Sequence, residues 1–237
     1  MYKFFDVMGS LLYPARCPVC DKVVPAWDKG ICSECLRNIR YVNPPRCLKC
    51  GKHIEEEEKE YCGDCLERHH YFMQGRALFY YKDIAQAVYR FKYKGRQEYA
   101  TVFGKEMLFY LGDYIRVVEP DGLLPVPLYK RKERRRGYNQ AALLARVLGD
   151  ALNIPVYEKM IIRSKNTKPL KLLNPEERLN NLKKAFILME NGVKLKRVII
   201  IDDIYTTGST IDTIAKLLIE QGTEEVYFIT LAIGENT

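Results

Sequence analysis

The chain has 237 residues, 47% of them hydrophobic and 29% charged, a composition typical of a soluble protein with one or two domains. No apolar run approaches the roughly 20 residues that cross a bilayer, and Asp6 interrupts the apolar start of the chain, so we expect a cytoplasmic protein without a membrane span or signal peptide. The net charge of +8 arises in residues 71–237, where 27 Lys/Arg stand against 19 Asp/Glu, whereas residues 1–70 contain 11 of each. This excess indicates either a polyanionic partner or a solvated basic surface.

The first feature along the chain is a set of eight cysteines between positions 17 and 65. They form four Cys-x-x-Cys pairs, and each gap between consecutive pairs contains 11 residues. Two such turns complete a tetrahedral zinc site with Zn–S distances of about 2.3 Å. Without other signs of secretion, repeated pairs favour metal over four disulfides, with iron–sulfur ligation as the alternative. We therefore predict two structural zinc ions bound by Cys17, Cys20, Cys32, Cys35, Cys47, Cys50, Cys62 and Cys65.

Two pairings of the cysteine turns are compatible with the equal gaps. Tandem ribbons would use the first four and the last four cysteines, and a cross-braced module would interleave them. Asn43-Pro44-Pro45 resembles a linker between two similar units and favours the tandem pairing. We expect a double zinc-ribbon domain in residues 1–70, with His53, His69 and His70 on its surface, because eight thiolates already complete two sites.

Residues 71–237 are predicted to form a second domain in which strands and helices alternate. Strands are expected at 76–82, 121–127, 154–162, 185–189, 196–202 and 225–233, and helices at 83–110 (interrupted at Gly95-Arg96), 139–152 and 209–221. This alternation is typical of βαβ units in an α/β fold with a doubly wound, mostly parallel sheet. Ligands of such sheets bind at the carboxyl ends of the strands.

Two basic segments lie within this second domain. In residues 90–96, Arg-Phe-Lys-Tyr-Lys-Gly-Arg, basic and aromatic side chains interleave, which suits either base stacking or the aromatic core of a helix. In residues 130–136, six of seven side chains are basic, which suits pyrophosphate or nucleic-acid phosphates, or else a solvated loop. We predict phosphate contacts for Lys130, Arg131, Arg134, Arg135 and Arg136.

The most informative segment is 198–210, Val-Ile-Ile-Ile-Asp-Asp-Ile-Tyr-Thr-Thr-Gly-Ser-Thr. Its pattern is that of a buried parallel strand, an acidic pair at the carboxyl end, and a phosphate cradle at a helix N-terminus. Capping that helix would require only one hydroxyl, and adjacent carboxylates repel unless hydroxyls or a cation meet them. The segment therefore favours a sugar phosphate, with Asp202 and Asp203 on the hydroxyls and the turn on the phosphate.

Segment 198–210 resembles the phosphoribosyl pyrophosphate (PRPP) motif of type I phosphoribosyltransferases. The resemblance implies that Asp202 and Asp203 contact the 2′- and 3′-hydroxyls of the ribose and that PRPP binds together with Mg²⁺. Segment 125–136 is similar to the pyrophosphate-binding region, and segment 163–182 to the flexible loop that closes over PRPP. The resemblance assigns the 5′-phosphate to the turn, which comprises Tyr205 at its border, Thr206, Thr207, Gly208, Ser209 and Thr210.

Residues 136–140, Arg-Gly-Tyr-Asn-Gln, resemble the Arg-Gly-Phe-Asn-Gln signature of the ComF/GntX competence-protein family. That family joins an N-terminal cysteine-rich domain to a phosphoribosyltransferase domain, so the resemblance extends over nearly the whole chain. It implies a protein of natural transformation that binds PRPP and single-stranded DNA and handles incoming DNA in the cytoplasm. A DNA-uptake helicase would be its partner and would bring it to the inner face of the membrane.

Two alternative functions are compatible with the same motifs. One is a catalytically active PRPP-dependent phosphoribosyltransferase with an acceptor that no motif identifies. The other is a regulatory protein in which PRPP binding changes the affinity for DNA or for a partner. The fold and the PRPP motif are common to all three hypotheses, so the sequence does not decide whether PRPP is turned over.

Overall fold

A computed structural model describes residues 14–25, 30–56, 58–164, 185–189 and 194–235. The loop predicted to close over PRPP falls outside these residues beyond Ser164. None of the described helices combines the length and the apolar character that a membrane crossing requires.

The cysteine-rich half contains two tandem sets of four thiols. Within each set the four Sγ atoms lie within 4.8 Å of one another, one set comprising Cys17, Cys20, Cys32 and Cys35 and the other Cys47, Cys50, Cys62 and Cys65. The tandem pairing is therefore confirmed and the cross-braced alternative is excluded. The second Cys-x-x-Cys turn of each set leads into a short helix, α1 (Ser33–Asn38) or α2 (Gly63–Glu67).

The remaining elements form a parallel sheet with helices on both faces. In chain order they are β1 (Gln74–Tyr80), α3 (Tyr81–Tyr93), α4 (Tyr99–Val118), β2 (Gly122–Pro125), α5 (Lys130–Arg136), α6 (Gln140–Leu152), β3 (Ile161–Arg163), β4 (Phe186–Leu188), β5 (Arg197–Tyr205), α7 (Ser209–Glu220) and β6 (Glu225–Ile233). The main sheet has the order β1-β6-β5-β2 with parallel pairs throughout, and β3 and β4 form a separate antiparallel pair. The predicted α/β fold with a parallel sheet is confirmed.

The apolar run at the start of β5 explains the two-sided burial of the sheet. Val198, Ile199, Ile200 and Ile201 are all fully buried. Because side chains alternate along a strand, Ile199 and Ile201 join the core beneath α4 and α6, whereas Val198 and Ile200 join the core beneath α7 and the second cysteine set. A strand covered on both faces is a continuous hydrophobic run, as the sequence predicts.

Three predicted elements differ from the observed ones. The strand predicted at 196–202 continues to Tyr205, because β6 pairs with β5 beyond the acids and supplies further backbone partners. The strand predicted at 154–162 is reduced to two short pieces, a single bridge between Val156 and Leu123 and the strand β3. Pro155 has no N–H and so cannot donate to a continuous ladder of backbone hydrogen bonds. The basic run 130–136 is helix α5 rather than a loop.

The second cysteine set covers the outer edge of β1, on the side away from β6. Gly75 N–H donates to the Lys49 carbonyl at 2.8 Å, and Val42 N–H donates to the Leu78 carbonyl at 2.9 Å. Gly51 has φ +78°, and a Cβ on it would lie 2.6 Å from the Gly75 oxygen, so this close approach requires glycine. The ribbon thus satisfies backbone groups that an open sheet edge would leave unpaired.

His70 contradicts the expectation of three surface histidines. Its residue is only 6% exposed, its Nδ1 lies 2.6 Å from Asp212 Oδ2 on α7, and its ring stacks on Phe72. The expectation was wrong because residues 70–72 lead the chain from the second ribbon under α7. His69 is exposed as expected.

Candidate functional site

The two acids of the PRPP-like motif lie near the carboxyl end of β5. The Asp203 N–H donates to Asp202 Oδ1 at 2.8 Å, which holds the neighbouring carboxyl in place. An ion pair that the sequence analysis missed completes this cluster: Lys92 Nζ, on α3, lies 2.8 Å from Asp203 Oδ1. Both side chains are largely buried, with 17% of Lys92 and 13% of Asp203 exposed. The interleaved pattern of residues 90–96 drew attention to this segment, but no local signal points Lys92 at the acids.

The acidic pair has an unusual titration. Burial, followed by the neighbouring charge of Asp203, raises the pKa of Asp202 to about 7, while the positive charges of Lys92 and Arg163 act in the opposite direction. Burial acts to lower the pKa of Lys92, but the charges of Asp203 and Asp202 outweigh burial and raise it. Asp202 therefore changes charge near neutral pH.

The turn after the acids forms the N-terminus of α7 without a side-chain cap. Gly208 occupies the cap position with φ +76°, and no side chain accepts a hydrogen bond there. Thr207 Oγ1 and Ser209 Oγ lie 2.9 Å apart, and together with Asp202 the turn residues line a small cavity. The first backbone N–H groups of a helix have no partner within the helix, so this cavity presents donors and a favourable dipole end to an anion.

Tyr205 borders this turn, lines the same cavity and packs beneath Gly208. Its ring is buried and stacks on Phe228 with centroids 4.7 Å apart. A Cβ on Gly208 would lie 2.6 Å from the Tyr205 hydroxyl, so only a glycine at this position lets the turn lie this close to the tyrosine. Tyr205 is thus placed to support the phosphate turn from below.

The predicted phosphate-binding cations divide into two groups on α5. Lys130, Arg131, Arg134 and Arg135 are exposed, and three of them line a cleft with Arg163. Arg136 is half-buried, with its guanidinium 4.8 Å from the Tyr93 ring centroid. Burial and the nearby charges of Arg163, Arg136 and Arg135 lower the pKa of Lys132, which indicates a strongly positive region.

The aromatic residues of segment 90–96 resolve the alternatives left by the sequence. Phe91 belongs to the core, whereas Tyr89 and Tyr93, on α3, are 48% and 50% exposed with ring centroids 5.2 Å apart. Arg136 lies over the second of these rings. The segment therefore supplies one core residue and one exposed tyrosine, Tyr93, which forms a pair with the preceding Tyr89 beside the basic helix α5.

The two thiol sets have a geometry suited to structural zinc. The Sγ atoms of Cys20 and Cys32 are 3.8 Å apart, and those of Cys50 and Cys62 are 3.6 Å apart. A tetrahedral site with Zn–S bonds of about 2.3 Å has S···S separations of about 3.8 Å. The Cys32 N–H also points at Cys17 Sγ at 3.4 Å, as expected for a thiolate acceptor.

Comparison with known proteins matches both halves of the chain. Residues 8–66 match a family described as double zinc ribbon domain, and residues 134–236 match the phosphoribosyl transferase domain.

Curated relatives match over part of their own length. The chain is 43% identical to Competence protein F of Haemophilus influenzae over 48% of this chain and 50% of that protein. It is 33% identical to Competence protein ComFC of Bacillus subtilis, over 63% of this chain and 59% of that protein. It is 32% identical to DNA utilization protein YhgH of Escherichia coli, over 62% of this chain and 66% of that protein. The matches thus span between half and two thirds of these relatives.

Proposed function

The chain belongs to the ComF family, in which a double zinc ribbon is joined to a phosphoribosyltransferase domain, and from that premise we propose that it binds PRPP and single-stranded DNA. The observation that carries the PRPP proposal is the placement of an acidic pair beside an uncapped helix N-terminus at one end of β5. Asp202 and Asp203 would accept hydrogen bonds from the ribose hydroxyls. The turn of Thr206, Thr207, Gly208, Ser209 and Thr210 would bind the 5′-phosphate through backbone N–H groups.

The pyrophosphate of PRPP would extend towards the positive region of α5 and Arg163. Mg²⁺, when bound with PRPP, would neutralise part of the pyrophosphate charge. Arg131 and Arg134 line the cleft on this side of the site. Guanidinium groups suit this role because they bind phosphate oxygens in a bidentate geometry.

Catalytic transfer of the phosphoribosyl group is the alternative. Its transition state would carry positive charge on the sugar ring and would depend on positioning and electrostatics rather than on a protein nucleophile. The fold supports such a role, but the ComF relatives are named for competence and DNA utilization. We therefore place binding first and turnover second.

The first prediction uses calorimetry to test PRPP binding before any test of turnover. We expect the wild-type chain to bind Mg²⁺-PRPP more tightly than ribose 5-phosphate or Mg²⁺-pyrophosphate, because only PRPP engages the acids, the turn and the basic cleft together. An assay of pyrophosphate release with candidate acceptors then separates binding from turnover. If PRPP binds no better than either fragment, the site does not recognise the whole molecule and the proposal fails.

The DNA proposal rests on the surface formed by α5 and the tyrosine pair. Lys130, Arg131, Arg134 and Arg135 are exposed on α5, and Arg136 of the same helix lies over the ring of Tyr93, which contacts the ring of Tyr89. Cations that follow a phosphate backbone, together with exposed aromatic rings that stack bases, are the usual means of binding single-stranded nucleic acid. Handling of incoming DNA in the cytoplasm, with a DNA-uptake helicase at the membrane as partner, is the cellular role we propose.

The second prediction concerns this surface. The double variant Arg134→Glu/Arg135→Glu should weaken binding of a fluorescent oligothymidine at least about tenfold and lower the slope of log K against log salt by about 0.7 for each lost phosphate contact. The control Lys194→Glu/Lys196→Glu changes the net charge equally at the amino end of β5, away from this surface, and should have a much smaller effect. Equal losses in both variants would indicate a general charge effect and would reject the assigned surface.

A further inference from the structure

Three side chains of residues 136–140, the family signature, form hydrogen bonds with the last turn of α3. The Tyr138 hydroxyl donates to the Phe91 carbonyl at 2.6 Å, and Gln140 Nε2 donates to the same carbonyl at 3.2 Å. Arg136 orients Gln140 by donating from Nη1 to its Oε1 at 2.7 Å. The last carbonyls of a helix have no partner within it, so these side chains fasten the end of α3 at a point where it would otherwise fray.

This fastened turn carries Lys92. The preceding Phe91 is fully buried in the core, which sets the rotation of the helix. Arg136 Nη2 lies 3.3 Å from the hydroxyl of the following Tyr93. Lys92 therefore lies between a residue whose backbone carbonyl is bonded to the signature and a residue whose side chain contacts Arg136, and its ammonium reaches Asp203 across the gap between α3 and β5.

We infer that Lys92 is a functional residue of the phosphoribosyl site, supplying the positive charge that lets Asp202 and Asp203 present ionised oxygens side by side to the ribose, and that Tyr138 and Gln140 position it. This inference rests on the proposed PRPP function. It gives the Arg-Gly-Tyr-Asn-Gln signature a physical role, since Tyr138 and Gln140 bond to the end of α3, the helix that carries Lys92.

The electrostatic surroundings explain why the site needs this lysine. Asp202 faces Asp203 on its own strand, Lys92 on α3 and Arg163 on β3, and Lys92 in turn faces Arg136 and Lys132 on α5. Two buried carboxylates in sequence repel each other, and protonating one removes an acceptor from a ribose hydroxyl. With Lys92 present, the ionised pair should become available as pH rises through about 7. Without it, ionisation should require a higher pH.

The third prediction is a titration of Mg²⁺-PRPP affinity from pH 6 to 9 in four variants. Lys92→Gln should bind about fivefold more weakly at pH 7, because a rise of about one unit in the pKa of Asp202 lowers its ionised fraction at pH 7 from about one half to about one tenth, and the deficit should shrink at pH 9. Lys92→Arg should restore most of the affinity, and the exposed neighbour Lys94→Gln should bind like the wild type. Tyr138→Phe should weaken binding in the same pH-dependent way but less.

A double-mutant cycle tests whether Tyr138 acts through Lys92. Lys92→Gln/Tyr138→Phe should bind no more weakly than Lys92→Gln alone, whereas additive losses would reject the positioning role. Affinity of Lys92→Gln equal to wild type across the pH range would overturn the inference while leaving the proposed function intact. Absence of PRPP binding by the wild-type chain would instead reject both. If circular dichroism shows that Lys92→Gln does not fold, the test uses the pH midpoint of PRPP binding by Tyr138→Phe. A midpoint equal to that of the wild type overturns the inference.

Discussion

Loss of the second zinc site is expected to destabilise the parallel sheet as well as the ribbon. Cys47 and Cys50 are fully buried in the same core as Ala77 of β1 and Phe228 of β6. The backbone of the ribbon is also hydrogen-bonded to the edge of β1, where the Lys49 carbonyl accepts from the Gly75 N–H. Structural zinc contributes an apparent binding free energy of about 10–16 kcal/mol, comparable to the whole stability of a domain. Loss of the metal should therefore expose both the edge of β1 and the part of the core that the ribbon covers.

The variant Cys50→Ser provides the measurement. Metal analysis should give two zinc ions per wild-type chain and one in the variant. If about 5 kcal/mol of the stabilisation reaches the sheet, the melting temperature should fall by about 10–20 °C, at 2–4 °C per kcal/mol for a chain of this size. Zinc added back to chelator-treated wild-type protein should restore the wild-type melting temperature.

The matched control is Cys20→Ser in the first site. That ribbon packs on α3 and α4, where Arg90 donates to the Val19 carbonyl and the Tyr99 hydroxyl donates to Asp21, and its described cysteine turns do not pair with β1. It should lose one zinc ion with a smaller fall in melting temperature. An unchanged melting temperature in Cys50→Ser, despite the loss of zinc, would show that the sheet does not depend on the ribbon.

Asp202→Asn is expected to remove PRPP binding and, at the same time, to stabilise the ligand-free protein at neutral and alkaline pH. The pKa of this carboxyl rises from 3.8 to about 7 on folding, so the folded protein binds its proton more tightly than the unfolded chain. The stabilisation from that proton is complete below pH 4 and is lost as pH rises through 7. At 1.36 kcal/mol per pH unit, the ionised group opposes folding by up to about 4 kcal/mol at pH 8.

Urea unfolding of wild type and Asp202→Asn between pH 5 and pH 8 measures this effect. Asparagine keeps an oxygen for the Asp203 N–H but carries no charge, so its advantage should increase with pH. Asp203→Asn is the contrasting control, because it leaves Lys92 buried without the partner at 2.8 Å and should lower stability. A variant Asp202→Asn that is less stable than wild type at pH 8 would contradict the proposed titration.

Much of the local structure follows from the sequence. The Cys-x-x-Cys spacing predicts the metal sites because each turn brings two thiols together without help from the rest of the chain. The run Val198 to Ile201 predicts a strand buried on both faces, and Gly208 predicts a tight turn, because each depends on the residues themselves and their immediate neighbours. The family signature at 136–140 also predicts the joining of a zinc ribbon to a phosphoribosyltransferase domain.

Only the tertiary structure decides which distant groups meet. Equal cysteine gaps are compatible with two pairings, and only the folded chain shows that the thiols meet in the tandem one. The extension of β5 to Tyr205 depends on its partner β6, and the burial of His70 depends on α7. Most important for the site, Lys92 contacts Asp203 from the end of a helix whose Phe91 carbonyl accepts hydrogen bonds from Tyr138 and Gln140. Such a contact has no local sequence signal, since it depends on the relative placement of a helix and a strand, which long-range packing determines.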